Sequence, residues 1–269
     1  MARMPAVFVG HGSPMNTLLQ NPYTDAWAKL GKGFGAAKPK AILAISAHWY
    51  INGTAVTAMS MPKTIHDFGG FPQELFDYRY PAEGDPALAA RVQKLLAPMD
   101  VGLDQGWGLD HGTWSVLAHV FPEADVPVVQ LSIDRTKPAA WHYDLGKRLA
   151  PLRDEGVLIF GSGDVVHNLR LIDRAAMMGP NSEKMGVATA PAWATGFNDH
   201  IRAAIAQGDD GAVIDFETFG EAARLSVPTP DHYLPLLYVL GARDKGEATS
   251  FPIDGIDLGT ISMMSVKVG

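Results

Sequence analysis

The sequence predicts a single α/β domain with a mostly parallel central sheet covered by helices on both faces. Four short apolar runs rich in β-branched residues recur along the chain: Ala6–Val9, Ala41–Ile45, Val126–Leu131 and Val157–Phe160. Each is separated from the next by a segment long enough for a crossover helix, which is the rhythm of βαβ units. Their hydrophobicity is continuous rather than alternating, as in strands buried on both faces. A length of 269 residues is filled by one such domain, residues 1–269.

The first strand, Ala6–Val9, leads to a helical pattern at Tyr23–Leu30 and then to the strand at Ala41–Ile45. The stretch Met61–Gly84 is irregular, with Pro62, Gly69, Gly70, Pro72 and Pro81 set among Phe68, Phe71, Phe76, Tyr78 and Tyr80. Long irregular segments in compact domains are often functional. A helix over Asp85–Leu96 opens on Pro86, whose fixed φ suits a first turn. The strand Val126–Leu131, the helix Pro138–Leu149 and the strand Val157–Phe160 come next. The polar stretch Met177–Thr189 reads as a mobile loop or lid. Beyond it lie helices at Pro191–Ala206 and His232–Leu240, and Thr249–Pro252 with Thr260–Val266 read as a closing pair of strands, the last at a sheet edge.

Composition excludes several classes. The formal net charge is -7 and no basic run exceeds a pair such as Lys147–Arg148, so no nucleic-acid footprint exists. No stretch approaches the ~20 consecutive apolar residues of a membrane span, and the chain enters a strand-like run at once, without a signal-peptide pattern. A cytoplasmic protein with no membrane partner is expected. Cysteine is absent, which removes disulfides, thiolate metal sites and cysteine nucleophiles together. Any metal must be held by nitrogen and oxygen. With 9 histidines, such a site suits zinc or ferrous iron better than calcium.

The informative residues stand at the carboxyl ends of the apolar runs. Val9 leads to Gly10-His11-Gly12-Ser13, Ile45 to Ser46-Ala47-His48-Trp49, and Phe160 to Gly161-Ser162-Gly163-Asp164 and then His167. Ligands of open α/β sheets bind outside the carboxyl ends of the strands, so residues remote in sequence converge there. A lone histidine after a strand is more often structural than functional; its repetition on successive strands favours a site. Glycines on both sides of His11 let the backbone turn tightly around a bound group. His232 lies in Pro228-Thr229-Pro230-Asp231-His232-Tyr233-Leu234-Pro235. It either starts a helix capped by Asp231 or is a metal ligand on a rigid mount, and a third imidazole would complete a facial set. His111, in Asp110-His111-Gly112, begins a helix or orients substrate by hydrogen bonding to a phenolic oxygen. His66 contacts substrate or stabilises the aromatic loop. His119, His142 and His200 fall in helical patterns and read as structural.

Taken together, Gly10-His11-Gly12-Ser13-Pro14-Met15-Asn16, Ser46-Ala47-His48-Trp49, His66-Asp67-Phe68-Gly69-Gly70-Phe71, Asp110-His111-Gly112, Val166-His167-Asn168-Leu169 and His232-Tyr233-Leu234-Pro235 resemble the LigB-type class III extradiol ring-cleaving dioxygenases, specifically the 4,5-DOPA dioxygenase family. The likeness runs nearly end to end, and the order of the segments is more specific than any one of them. It implies a LigB-like, phosphorylase/hydrolase-like architecture and a metal site of His11, His48 and His232. His167 would be an acid/base near the metal or a resting-state ligand, and His111 would orient the substrate. LigB enzymes acting on protocatechuate use a glutamate as third ligand; the matching position here is His232. The implied reaction joins a DOPA-like catechol and O2 at Fe(II), with His167 taking a catechol proton, to give a ring-opened semialdehyde. Zn(II) fits the same imidazoles without redox capacity.

Rival readings are a zinc-dependent hydrolase on the same histidines and a metal- or ligand-binding protein without turnover. A serine hydrolase is disfavoured, because Ile159-Phe160-Gly161-Ser162-Gly163 lacks the Gly-x-Ser-x-Gly pattern.

Overall fold

The computed structural model describes residues 3–35, 37–173 and 189–269. All of the lid candidate Met177–Thr189 except Thr189 lies outside the described residues. The strands are β1 Ala6–Gly10, β2 Ala41–Ile51, β3 Thr54–Thr57, β4 Val101–Asp104, β5 Val128–Asp134, β6 Val157–Gly163, β7 Thr249–Ile253, β8 Ile256–Asp257, β9 Ile261–Ser262 and β10 Ser265–Val268. Eight of them form one sheet in the order β4-β3-β5-β2-β6-β1-β10-β7. Its centre, β5-β2-β6-β1, is parallel throughout. Antiparallel pairings enter at the flanks, where β3 meets β5 and β10 meets both β1 and β7.

The helices are α1 Pro22–Lys32, α2 Gln73–Asp77, α3 Pro86–Leu95, α4 His111–Val120, α5 Ala139–Leu149, α6 Ala192–Gln207, α7 Asp210–Ile214, α8 Glu221–Ser226 and α9 Leu234–Gly241. Their starts reflect local chemistry. Asn21 and Thr24 form a capping box ahead of α1, Asp85 caps α3 just before Pro86, and Asp110 caps α4 through the Thr113 amide.

Side chains alternate across the sheet, and the two faces are covered by different helices. On one face Val7, Val9, Ile42, Ala44, Leu158 and Phe160 pack with Trp27 of α1 and Trp114, Val116 and Leu117 of α4. On the other, Phe8, Leu43, Ile45, Leu131 and Ile159 pack with Leu145 and Leu149 of α5, Ile201 of α6 and Leu236, Val239 and Leu240 of α9. Each fully buried large apolar side chain contributes roughly 1.5–3 kcal/mol. This two-sided burial is why the strands read as continuous apolar runs.

The structure corrects the sequence reading in two places. β2 does not stop at Ile45: its pairing with β5 resumes at Tyr50 and Ile51 after a register shift, so His48 lies within the strand's irregular end. The segment Thr260–Val266 divides, because Ile261–Ser262 turns aside to pair with β8 while Ser265–Val268 inserts between β1 and β7. The outer strand on that side is therefore β7. It carries Pro252, which lacks the N–H that a central position would demand. Among the described residues no helix is long and apolar enough to cross a membrane.

Candidate metal centre

His11 is the first residue after β1, its amide bonded to the Gly163 carbonyl at 3.1 Å. Its ring is buried, with Nδ1 3.0 Å from Ser162 Oγ. Ser162 donates its single hydroxyl proton to the Gly112 carbonyl at 2.5 Å, so toward His11 it can only accept. The proton of His11 therefore sits on Nδ1 and Nε2 carries a lone pair. His48 is set the same way, with Nδ1 3.1 Å from Asp67 Oδ2, and so is His232, with Nδ1 2.5 Å from Asp231 Oδ2. Carboxylates accept only, so in its neutral form each of these rings also keeps Nε2 bare.

The three rings form a nearly equilateral triangle, with centroids 5.0, 5.2 and 5.1 Å apart. His11 Nε2 and His48 Nε2 face each other at 3.2 Å, and His232 Nε2 is buried without a hydrogen-bond partner. Between neutral rings, facing lone pairs and an orphaned buried acceptor are unfavourable unless a cation lies among them. Ligand atoms come within 4.8 Å of one another in two trios that share His11, namely His11, His48 and His111, and His11, Asp164 and His232. An acceptor on the far nitrogen of each imidazole is the usual support of a metal-bound histidine.

His111 opens α4. Asp67 Oδ1 accepts from both its backbone amide, at 3.0 Å, and its Nδ1, at 2.9 Å. The ring stands 3.9 Å from that of His48, centroid to centroid. Helix and strand approach this closely because residue 112 is glycine: a Cβ there would lie 2.8 Å from His48 Cδ2 and 2.6 Å from Ser46 Oγ. His167 lies beyond β6, held by its amide on the Ser226 carbonyl at 2.8 Å, and its ring stacks on His232 at 3.5 Å with planes 6° apart.

Burial, reinforced by His48 and its neighbours, pushes His11 well below the ordinary imidazole range, and burial with His167 does the same to His232. Neutral imidazole is the ligating form. Burial also lowers His111, helped by His48. His167 is pushed down to about 4 by burial, against the pull of Asp231. In His48 burial is outweighed by the Asp67 hydrogen bond and the charges of Asp110, Asp67 and Asp231, and its pKa rises.

The remaining histidines stand apart. His66 places Nε2 3.0 Å from the Tyr78 carbonyl and packs edge-on against Phe68, which in turn meets the His111 ring at 5.4 Å. His119 bonds the Asn16 carbonyl, His142 the Tyr238 hydroxyl, and His200 stacks on Phe219. Sequence reasoning misses three residues that hold the site together. In the sequence Asp67 is one member of a motif with no role of its own, Ser162 comes into question only as a nucleophile, and Asp231 reads as a helix cap. No side-chain cap is present at Pro230–His232, and the Asp231 carboxylate is bonded to the His232 ring instead. Aspartate next to a candidate ligand histidine is the signal that could have found it.

Residues 2–252 match the family described as the catalytic LigB subunit of aromatic ring-opening dioxygenase. The chain belongs to the LigB family. This LigB chain is 51% identical over 271 residues to the 4,5-DOPA dioxygenase extradiol of Escherichia coli strain K12, covering 99% of this chain and 95% of that one. It is 38% identical over 267 residues to the 4,5-DOPA dioxygenase extradiol of Beta vulgaris, covering 97% and 94%. The crystal structure of the uncharacterized protein JW3007 from Escherichia coli K12 superposes with a TM-score of 0.83 at 46% identity, over 99% of this chain and 100% of that one. The LigB chain is accordingly an extradiol ring-opening dioxygenase, as its motifs implied.

Proposed function

We propose that this chain opens the ring of a DOPA-like catechol beside its two hydroxyls, using O2 and Fe(II), as a single catalytic domain working in the cytoplasm. The observation that carries the reading is the shared wiring of His11, His48 and His232: each sets Nδ1 against its own acceptor, which leaves Nε2 free, and the three rings stand 5.0, 5.2 and 5.1 Å apart. Those three nitrogens would hold the metal. Fe(II) supplies the redox capacity through which a catechol and O2 react, whereas Zn(II) fits the same imidazoles without it.

The other side chains have separate tasks. His111, with Nδ1–H on Asp67, leaves Nε2 as an acceptor for a catechol hydroxyl. His167, neutral because burial lowers it to about 4, is ready to take a proton from the second hydroxyl and to return it as the ring opens. Its stack on His232 would keep it beside a metal held there, in reach to act as a resting-state ligand. Phe68, packed against His111 and backed by His66, forms an apolar wall that keeps water from the reacting ring. His66 is thus a proposed pocket residue acting from behind that wall. A zinc hydrolase on the same histidines has no observation in its favour.

The deciding experiment loads the protein with Fe(II) anaerobically, adds L-DOPA or another simple catechol in air, and tracks O2 uptake and absorbance together. Fe(II)-dependent uptake with a yellow semialdehyde chromophore is expected. Absence of uptake across a catechol panel, with metal still bound, sinks the reading. Replacing His167→Gln should preserve fold and metal content while lowering turnover by ~100-fold or more. Wild-type turnover would remove His167 from the mechanism, and loss of the metal would make it a ligand.

A further inference from the structure

We propose that Asp164 gives the metal a carboxylate oxygen, so that the donor set is three imidazoles and one carboxylate. The inference rests on the reading that His11, His48 and His232 hold the metal. β1 and β6 are parallel neighbours with Gly10 opposite Gly163, so the next residues, His11 and Asp164, leave adjacent strands side by side at the sheet's carboxyl edge. Asp164 is also tied to the other end of the site, since its amide donates to the His232 carbonyl at 2.9 Å.

Asp164 is 1% exposed. Oδ1 accepts from the Gly12 amide at 3.1 Å, while Oδ2 has no hydrogen-bond partner and lies 3.5 Å from His11 Nε2. That contact is not an ordinary hydrogen bond. The His11 proton is on Nδ1, committed to Ser162, so its bare Nε2 faces a carboxyl oxygen that makes no hydrogen bond, in a group that burial pushes well above the usual carboxylate range unless a cation is near. The third member of the same trio, His232 Nε2, is likewise buried and unpartnered. Within this trio Asp164 Oδ2 and His232 Nε2 are both buried without a hydrogen-bond partner, which is costly. One cation among them satisfies all three. Imidazoles with a carboxylate and open positions form the donor type that suits non-haem Fe(II) in oxygenases.

The test uses cobalt as the probe, with wild type, Asp164→Asn, Asp164→Ala and His11→Ala. Asn keeps the acceptor for the Gly12 amide and removes the charge; Ala removes both. Anaerobic Co(II) titration against a competing chelator, read together with the visible ligand-field bands, should show one Co(II) per chain in wild type. Both Asp164 variants should bind at least ~10-fold more weakly and with shifted bands. Unchanged affinity and bands overturn the proposal and leave the histidines standing. Weaker binding with unchanged bands places Asp164 beside the metal instead of on it, and also overturns it. Wild type that binds no cobalt, or His11→Ala that binds as wild type does, removes the histidine reading as well. Should the Asp164 variants not fold, infrared difference spectra of the ¹³C-aspartate-labelled wild type on adding Zn(II) decide the matter. A shifted aspartate carboxylate band supports the proposal, and an unshifted spectrum overturns it.

Discussion

Asp67 serves two histidines with one carboxylate: Oδ2 takes the Nδ1 proton of His48, and Oδ1 takes the Nδ1 and backbone protons of His111. Although burial works against it, the bonds from His111 and His48 hold this carboxyl far below the usual range, so it stays ionised. An amide cannot do both tasks, because its NH2 would confront one of the two Nδ1–H groups and force that imidazole to flip or change tautomer. Asp67→Asn should therefore bind Zn(II) or Co(II) ~10–100-fold more weakly and lower turnover at saturating catechol. Chelator competition and O2 uptake would measure the two effects, and wild-type values in both would leave Asp67 without this role. His11, His48, His167 and His232 were legible in the sequence because each comes after an apolar run or a proline-fixed turn. Asp67 was not, because its partner His111 is 44 residues away and only the fold brings them together.

Among elements, the buried strands and the amphipathic helices were legible from period and caps, whereas β3 and β4 were not. Both are four residues long, and β4 carries exposed positions at Gly102 and Leu103, so no apolar run marks it. α4 was legible only at its start, since it is buried on nearly every side and shows little periodicity. The packing of α5 on α9 contains a titratable group with a stability consequence. His142 of α5 is buried, with Nδ1 2.8 Å from the Tyr238 hydroxyl of α9 and Nε2 without a partner. Burial pushes it down to about 4, against an ordinary value of 6.5. Above pH 6.5 both folded and unfolded forms leave it neutral, and it adds no pH dependence. Between about 6.5 and 4 the unfolded chain binds a proton that the folded chain refuses, so stability falls as pH falls, by about 3 kcal/mol in full. His142→Gln keeps a partner for Tyr238 and does not titrate. Denaturant unfolding at pH 7 and 4.5 should show the variant losing less stability than wild type, and equal losses would exclude His142 as the cause.

Over the whole molecule, two edges of one sheet do different work. The carboxyl edge of β1, β2 and β6 gathers the histidines, and this was legible, because continuous apolar runs ending in histidine predict both a parallel sheet and the edge at which its site lies. Strand order was not legible, because the apolar pattern of Ser265–Val268 does not say which neighbours it will have. That strand closes the opposite edge, where Arg153 sits fully buried just ahead of β6. Its guanidinium donates to the carbonyls of Met4 at 2.7 Å, Ala242 at 2.7 Å and Val268 at 3.3 Å, and to Glu247 Oε2 at 2.8 Å. One side chain thereby ties together the approach to β1, the end of α9 and the end of β10. Removing it with Arg153→Met leaves Glu247 with the Asp244 amide alone and strips three carbonyls of the guanidinium, and breaking a buried pair in this way costs roughly 3–5 kcal/mol. The proposed metal site is at the other edge, so Co(II) affinity of the folded variant should match wild type while its denaturant midpoint drops sharply. A loss confined to stability would establish that the two edges are energetically separate. Weakened cobalt binding in the folded variant would show instead that strain at the amino edge travels along β1 and β6 to His11 and Asp164.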